Sequence, residues 1–121
     1  MPRRDKKIDE KTLGRYSEQW NIEWFKNNVF KYIKPGKSVL DVGCGNGRMI
    51  KLFEDYFENI TGIDIFEYQG ILCREYDKHI IGAFEEYDFK EKFDCICFFA
   101  VLYEMDNRIE VIKRAKELLN P

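Results

Sequence analysis

Apolar positions recur along the chain at two periods, and the period switches where glycines intervene. In residues 16–33, "YSEQWNIEWFKNNVFKYI", Ile22, Phe25, Val29 and Ile33 stand three or four apart, which predicts a helix ended by Pro35-Gly36. "SVLDV" (38–42) is short, apolar and β-branched, and reads as a strand. Helical spacing returns at Met49, Ile50, Phe53 and Phe57. "NITGIDI" (59–65) is a second strand, residues 67–77 a weaker helix despite Gly70, and "HIIGAF" (79–84) a third strand. "FDCICFFAVL" (93–102) is the fourth and most apolar. "DNRIEVIKRAKELL" (106–119) is a helix with Ile109, Ile112, Ala115 and Leu119 on one face.

Alternating strands and helices imply an α/β fold with parallel pairing and right-handed crossovers. The apolar strands suit a sheet covered on both faces. One connection fits less well: "EEYDFKEK", between the third and fourth strands, is too short for a good helix. The chain reads as one domain, with a basic tail (1–15), an N-terminal helix (16–36) and a core (37–121).

Composition narrows the function. Of the 121 residues, 45% are hydrophobic and 35% charged, which is globular. A net charge of -2 disfavours a protein that grips nucleic acid through its phosphates. "PRRDKK" at the start reads as a solvated tail. No apolar run reaches membrane-span length, and the charged start lacks the apolar core of a secretory signal. Cys44, Cys73, Cys95 and Cys97 form no C-x-x-C pair and read as reduced thiols of a cytoplasmic protein. His79, the single histidine, stands at the opening of the third strand and reads as a surface residue; with no zinc-type spacing, no metal site is expected.

The chemistry concentrates in "VLDVGCGNGRMIKLF" (39–53). Gly43, Gly45 and Gly47 lie where the first strand turns into a helix, the place where ligands bind in open parallel sheets. A tight turn with no ligand is the competing explanation. Asp64 ends the second strand 21 residues after Gly43, placed either to accept hydrogen bonds from both hydroxyls of a ribose, or to cap the next helix, or both. The loop reads G-x-G-x-G, not G-x-G-x-x-G, and Asp41 precedes it. A carboxylate there suits an ammonium or sulfonium and is poorly placed for a diphosphate. S-adenosylmethionine carries both cations, a ribose and no phosphate.

These segments, followed by "TGIDI" and "FDCICFFAVLYEMD", resemble the successive motifs of class I, Rossmann-like, S-adenosylmethionine-dependent methyltransferases over about residues 20–121. The resemblance implies strand order 3-2-1-4 and S-adenosylmethionine as cofactor. It implies that Gly43, Cys44 and Gly45 hold the methionine end, with Asp41 shaping the loop and reaching the ammonium. Asp64 would bind the ribose and Ile65 pack on the adenine. Ala83 and Phe84 would close the other adenine face, with Glu85 as acceptor for the amino group, and Phe99 completes the set. Tyr103 and Glu104 are the nearest candidates for a base, or else ordinary loop residues; no catalytic residue is assigned.

The amino-directed nucleic-acid methylases carry an Asn/Asp-Pro-Pro-aromatic turn where this chain has "FFAVLYEMD", and the Pro-Cys of cytosine-C5 enzymes is absent. A small-molecule acceptor is therefore expected. Tyr16, Trp20 and Trp24 share one side of the first helix and form either a lid over a small apolar substrate or part of the core. The family normally continues past "ELLNP" into further strands, so the fourth strand is expected at an open edge, prone to self-association or to a partner. Two rivals stand beside the enzyme reading: a non-catalytic cofactor-binding module, and an NAD-type oxidoreductase disfavoured by the loop spacing and Asp41.

Overall fold

The computed structural model describes residues 22–45, 47, 49–66, 75–99, 101–102 and 105–121. The basic tail, Tyr16, Trp20, Cys73, Tyr103, Glu104 and nearly all of the weak helix expected at 67–77 lie outside these residues.

Helix α1 (Ile22–Asn28) runs into a 3-10 turn at Phe30–Tyr32, after which Pro35 precedes strand β1 (Gly36–Val42). Helix α2 (Ile50–Glu54) follows the glycines, then β2 (Phe57–Asp64), β3 (Lys78–Ile81), β4 (Cys95–Phe98) and helix α3 (Arg108–Leu118). The four strands form one parallel sheet in the order β3-β2-β1-β4, as the motifs imply. α2 is one turn shorter than the spacing suggests. Phe57, the last residue of that apolar series, opens β2 and pairs with Gly36.

Two buried layers cover the sheet, and alternation along each strand divides residues between them. On one face Val39 and Cys97 join Phe30, Met49, Leu52 and Phe53 under α1 and α2. On the other, Leu40, Val42 and Ile63 join Phe84, Phe93, Val111 and Ala115 under α3. Phe30 and Phe53 are fully enclosed, their rings 5.8 Å apart, so truncating either to Ala should cost about 3–5 kcal/mol.

The connection from β3 to β4 must pass from one side of the sheet to the other, across β2 and β1. It does so without a helix. Phe84, Phe89 and Phe93 form a ladder of rings, 5.8 Å and 5.7 Å between successive centroids, that covers the sheet instead. Strands lie about 4.8 Å apart, so the thirteen residues 82–94 span the distance easily.

Three expectations need correction. α3 buries Val111 and Ala115, with Leu118 packed against them, while Ile109 and Ile112 are 70% and 52% exposed. The inward face follows the 111-115-118 stripe, so Ile112 sits a quarter turn around the helix from it and Ile109 nearly opposite it. His79 is not a free surface residue: its ring is half-buried and stacked on Tyr76 at 5.7 Å, and its buried Nε2 has no hydrogen-bond partner among the described residues. The third strand ends at Ile81, so Ala83 and Phe84 belong to the turn beyond it. Among the described residues, no helix is long and apolar enough to cross a membrane.

Among the described residues, no strand pairs with the outer side of β4, and one bridge lies just before its start. There Phe93 donates its N–H to the carbonyl of Leu118 and accepts from the N–H of Asn120, each at 2.8 Å, forming a parallel bridge to Leu119.

Candidate functional site

At the carboxyl ends of β1, β2 and β3 the chain encloses a cleft of about 230 Å3. The glycine loop forms one wall. Gly43, Gly45 and Gly47 all adopt positive φ, at 74°, 56° and 86°, which L side chains rarely tolerate. For Gly43 the space is taken as well: a Cβ there would lie 2.6 Å from Val101. At that position the close neighbour that demands glycine is the protein itself.

The loop is held down by β2. The N–H groups of Gly43 and Cys44 both donate to the carbonyl of Ile63, at 2.8 and 3.1 Å. That of Gly45 donates to Asp64 Oδ2 at 2.9 Å, and that of Gly47 to the carbonyl of Cys44 at 3.0 Å. Asp64 Oδ1 accepts the N–H of Phe66 at 3.0 Å. Asp64 is thus 2% exposed yet lines the cleft, and it both braces the loop and turns the chain after β2. A carboxylate has about four acceptor positions, which lets one side chain brace backbone groups from two segments at once.

Asp41 is equally buried and lies beneath the loop, outside the cleft lining. Its Oδ2 accepts from the hydroxyl of Tyr76 at 2.8 Å, and it pairs in register with Gly62 on one side and Cys97 on the other. Gly62 must be glycine because a Cβ would meet the Cys44 sulfur and the Tyr76 ring at 2.9 Å.

The remaining candidates divide. Ile65 lines the cleft and is 48% exposed, an apolar surface free to receive a ring. Phe84 lines it too, but its ring is buried against Phe98 and Phe89, so at most one side of it faces the cleft. Ala83 lies between the lining residues Gly82 and Phe84, and its carbonyl accepts the N–H groups of Glu86 and Tyr87. Glu85 is exposed at the rim. The Cys44 side chain packs into the core under the loop, away from the cleft. Phe99 is also placed elsewhere: its ring packs on Phe25, Phe30 and Phe53 in the layer under α1 and α2. Strand alternation explains this, since Phe99 continues the Cys95–Cys97 face while the cleft opens on the Ile96–Phe98 side.

The sequence reading missed Val42, Ile63, Gly82, Val101, Met105, Asp106 and Asn107 in the lining. The available signal was positional: Val42 and Ile63 stand at the carboxyl ends of β1 and β2, the others follow β3 or β4, and Asn107 immediately precedes α3.

The charged groups of the lining are Asp64, Glu85 and Asp106, and no described lysine or arginine joins them. With the loop N–H groups of residues 43–45 spent internally, the cleft offers acceptors and negative charge. It can take hydroxyls, amino groups and cations, and is poorly equipped for phosphate.

Behind β1, the sulfurs of Cys95 and Cys97 are 3.6 Å apart. This contact holds the Cys95 thiol below the usual thiol range, and the contact together with burial pushes Cys97 above it. Cys44, Cys95 and Cys97 are not in disulfides.

Comparisons with known proteins agree with this arrangement. The family model described as a methyltransferase domain matches residues 17–121. A tRNA U34 carboxymethyltransferase of Nautilia profundicola is 32% identical over 115 residues, covering 84% of this chain and 38% of that protein. A ubiquinone biosynthesis O-methyltransferase of Pasteurella multocida is 30% identical over 149 residues, covering 94% and 62%. Among solved structures, a SAM-bound amino pentose methyltransferase of Micromonospora echinaspora superposes with a TM-score of 0.69 at 18% identity, over 98% of this chain and 56% of that one. The PH0226 protein of Pyrococcus horikoshii gives 0.68 at 28% identity, over 94% and 53%. The chain therefore spans about half the length of the proteins it matches. The cleft at the glycine loop, the strand order and the match over nearly the whole chain agree: this chain belongs to the methyltransferase domain family.

Proposed function

We propose that the cleft binds S-adenosylmethionine and that the chain is the cofactor-binding part of a methyltransferase whose acceptor is a small molecule. The observation that carries the reading is the make-up of the cleft: the Asp64 carboxylate and the apolar Ile65 line it at the end of β2, beside a loop whose amides at residues 43–45 are already used. The residues fit the cofactor. Asp64 is a carboxylate in the cleft lining and is assigned to the ribose hydroxyls, Ile65 presents an exposed apolar face for the adenine, and Glu85, in the lining at the rim, is assigned to the adenine amino group. Asp41 adds negative charge beneath the loop, which favours a cationic ligand.

The cofactor supplies an electrophilic methyl group on a sulfonium. The protein's part is orientation: Asp64, Ile65 and the rigid loop hold one reactant so that the acceptor meets it in line. Burial of Asp64 strengthens its hydrogen bonds to a bound ligand.

For the acceptor, the matched relatives carry names that point both to tRNA and to a ubiquinone precursor pathway. The net charge of -2 and the acidic cleft favour a small molecule over an RNA backbone. Methyl-labelled S-adenosylmethionine incubated with the protein and a cell extract, then fractionated, tests this. Label is expected among small molecules; label in the RNA fraction would overturn the acceptor assignment.

A further inference from the structure

Arg114, on α3, reaches across to the turn that follows β3. Its Nε donates to the carbonyl of Phe84 at 2.9 Å, and its Nη2 donates to the carbonyl of Tyr87. The guanidinium carbon lies 5.7 Å from the centroid of the Phe84 ring and 6.0 Å from that of Phe89. The turn's own bonds run inside this clamp, from the N–H groups of Glu86 and Tyr87 to the carbonyl of Ala83, at 3.1 and 2.9 Å. One side chain, 30 residues away in sequence from the carbonyl it grips, therefore closes both ends of the turn. That turn places Phe84 and Glu85 in the cleft lining, while Arg114 itself is not part of the lining. Such a clamp needs a planar fork with divergent donors that also stacks on rings, which a lysine ammonium does not offer.

We infer that Arg114 is a positioning residue for the purine end of the cleft, setting the place of Glu85 and Phe84 and so the preference for an adenine over an oxopurine. The inference rests on the proposed S-adenosylmethionine site. Its chemical content is that a carboxylate held at the rim accepts an exocyclic amino group and repels a carbonyl oxygen in the same place. If the turn loosens, Glu85 no longer sits where it distinguishes the two.

The test compares S-adenosylhomocysteine with S-inosylhomocysteine by calorimetry, for the wild-type chain, R114K and R114M, and follows amide exchange in the ligand-free proteins. The wild type is expected to favour the adenosyl ligand by about tenfold or more. In R114M that ratio should fall towards one, and the Glu86 and Tyr87 amides should exchange at least about tenfold faster while those of β1 stay protected. R114K, which keeps the charge but not the fork, should fall between and decides the matter if R114M does not fold. A wild type that discriminates, with a ratio and exchange pattern unchanged in R114K, overturns this inference alone. A wild type that binds neither ligand refutes the proposed cofactor site and this inference with it.

Discussion

Asp64, the last residue of β2, accepts the backbone N–H of Gly45 at 2.9 Å, so the residue expected to meet a ribose also fastens the loop opposite it. Substitution therefore has two consequences. Asp64→Ala should weaken S-adenosylhomocysteine binding by about 1.5–3 kcal/mol and also destabilise the fold by about 1–3 kcal/mol, because the N–H groups of Gly45 and Phe66 lose their acceptor. Calorimetry and urea unfolding of the same sample separate the two. A folded mutant with unchanged affinity would remove Asp64 from the binding site.

The glycine loop makes a second prediction. Gly45→Val places a β-branched residue at a φ of 56° and should cost about 1–3 kcal/mol in strain while abolishing cofactor binding. Gly43→Ala should be destabilising too, because of its φ of 74° and the Val101 contact at 2.6 Å. Val101→Ala should not rescue it, since the Cβ of residue 101 would still lie 2.8 Å away. Full rescue, measured by denaturant midpoint, would show that backbone strain at Gly43 is unimportant.

Much of this was readable from the sequence. Parallel pairing and the placing of Asp64 beside the loop follow from local patterns: apolar runs, glycines at a strand end, and a carboxylate 21 residues on; the strand order came from the resemblance of the successive motifs. What escaped depends on which face a residue takes. Phe99 was placed at the site by its position in the chain, but alternation through β4 sends it to the opposite layer. Ile109 and Ile112 outrank Val111 and Ala115 in hydrophobicity, yet only the packing of α3 decides which stripe is covered. The Arg114 clamp joins residues too distant in sequence for any local pattern to reveal.

Acid stability should report on Asp94. The side chain of Asn120 and the N–H groups of Lys37 and Ser38 donate to its carboxylate, in that order of effect, and hold it below its usual 3.8. With the folded value below the unfolded one, the stabilisation is complete above the unfolded value and is lost as pH falls through the folded one. Asp94→Ala should thus lower the unfolding midpoint by a constant amount at neutral and mildly acidic pH. The difference from wild type should shrink as pH falls below 3.8 and vanish once the pH is below the lowered folded value. A difference that persists there would assign the effect to packing instead.

The open edge of β4 and the exposed Ile109, Ile112 and Leu119 predict that the 121-residue chain self-associates. Light scattering across a concentration series should show a rising mean mass, reduced when Ile109 and Ile112 are both changed to Glu. A chain that stays monomeric at high concentration would show that these surfaces are not adhesive.

On the proposed cofactor site, the cleft selects a phosphate-free nucleoside that carries an ammonium group. Calorimetric titration of the protein with S-adenosylmethionine, S-adenosylhomocysteine and NAD tests it most directly. Binding of both sulfur compounds, with no detectable heat from NAD, is the expected result. Binding of NAD alone would contradict it.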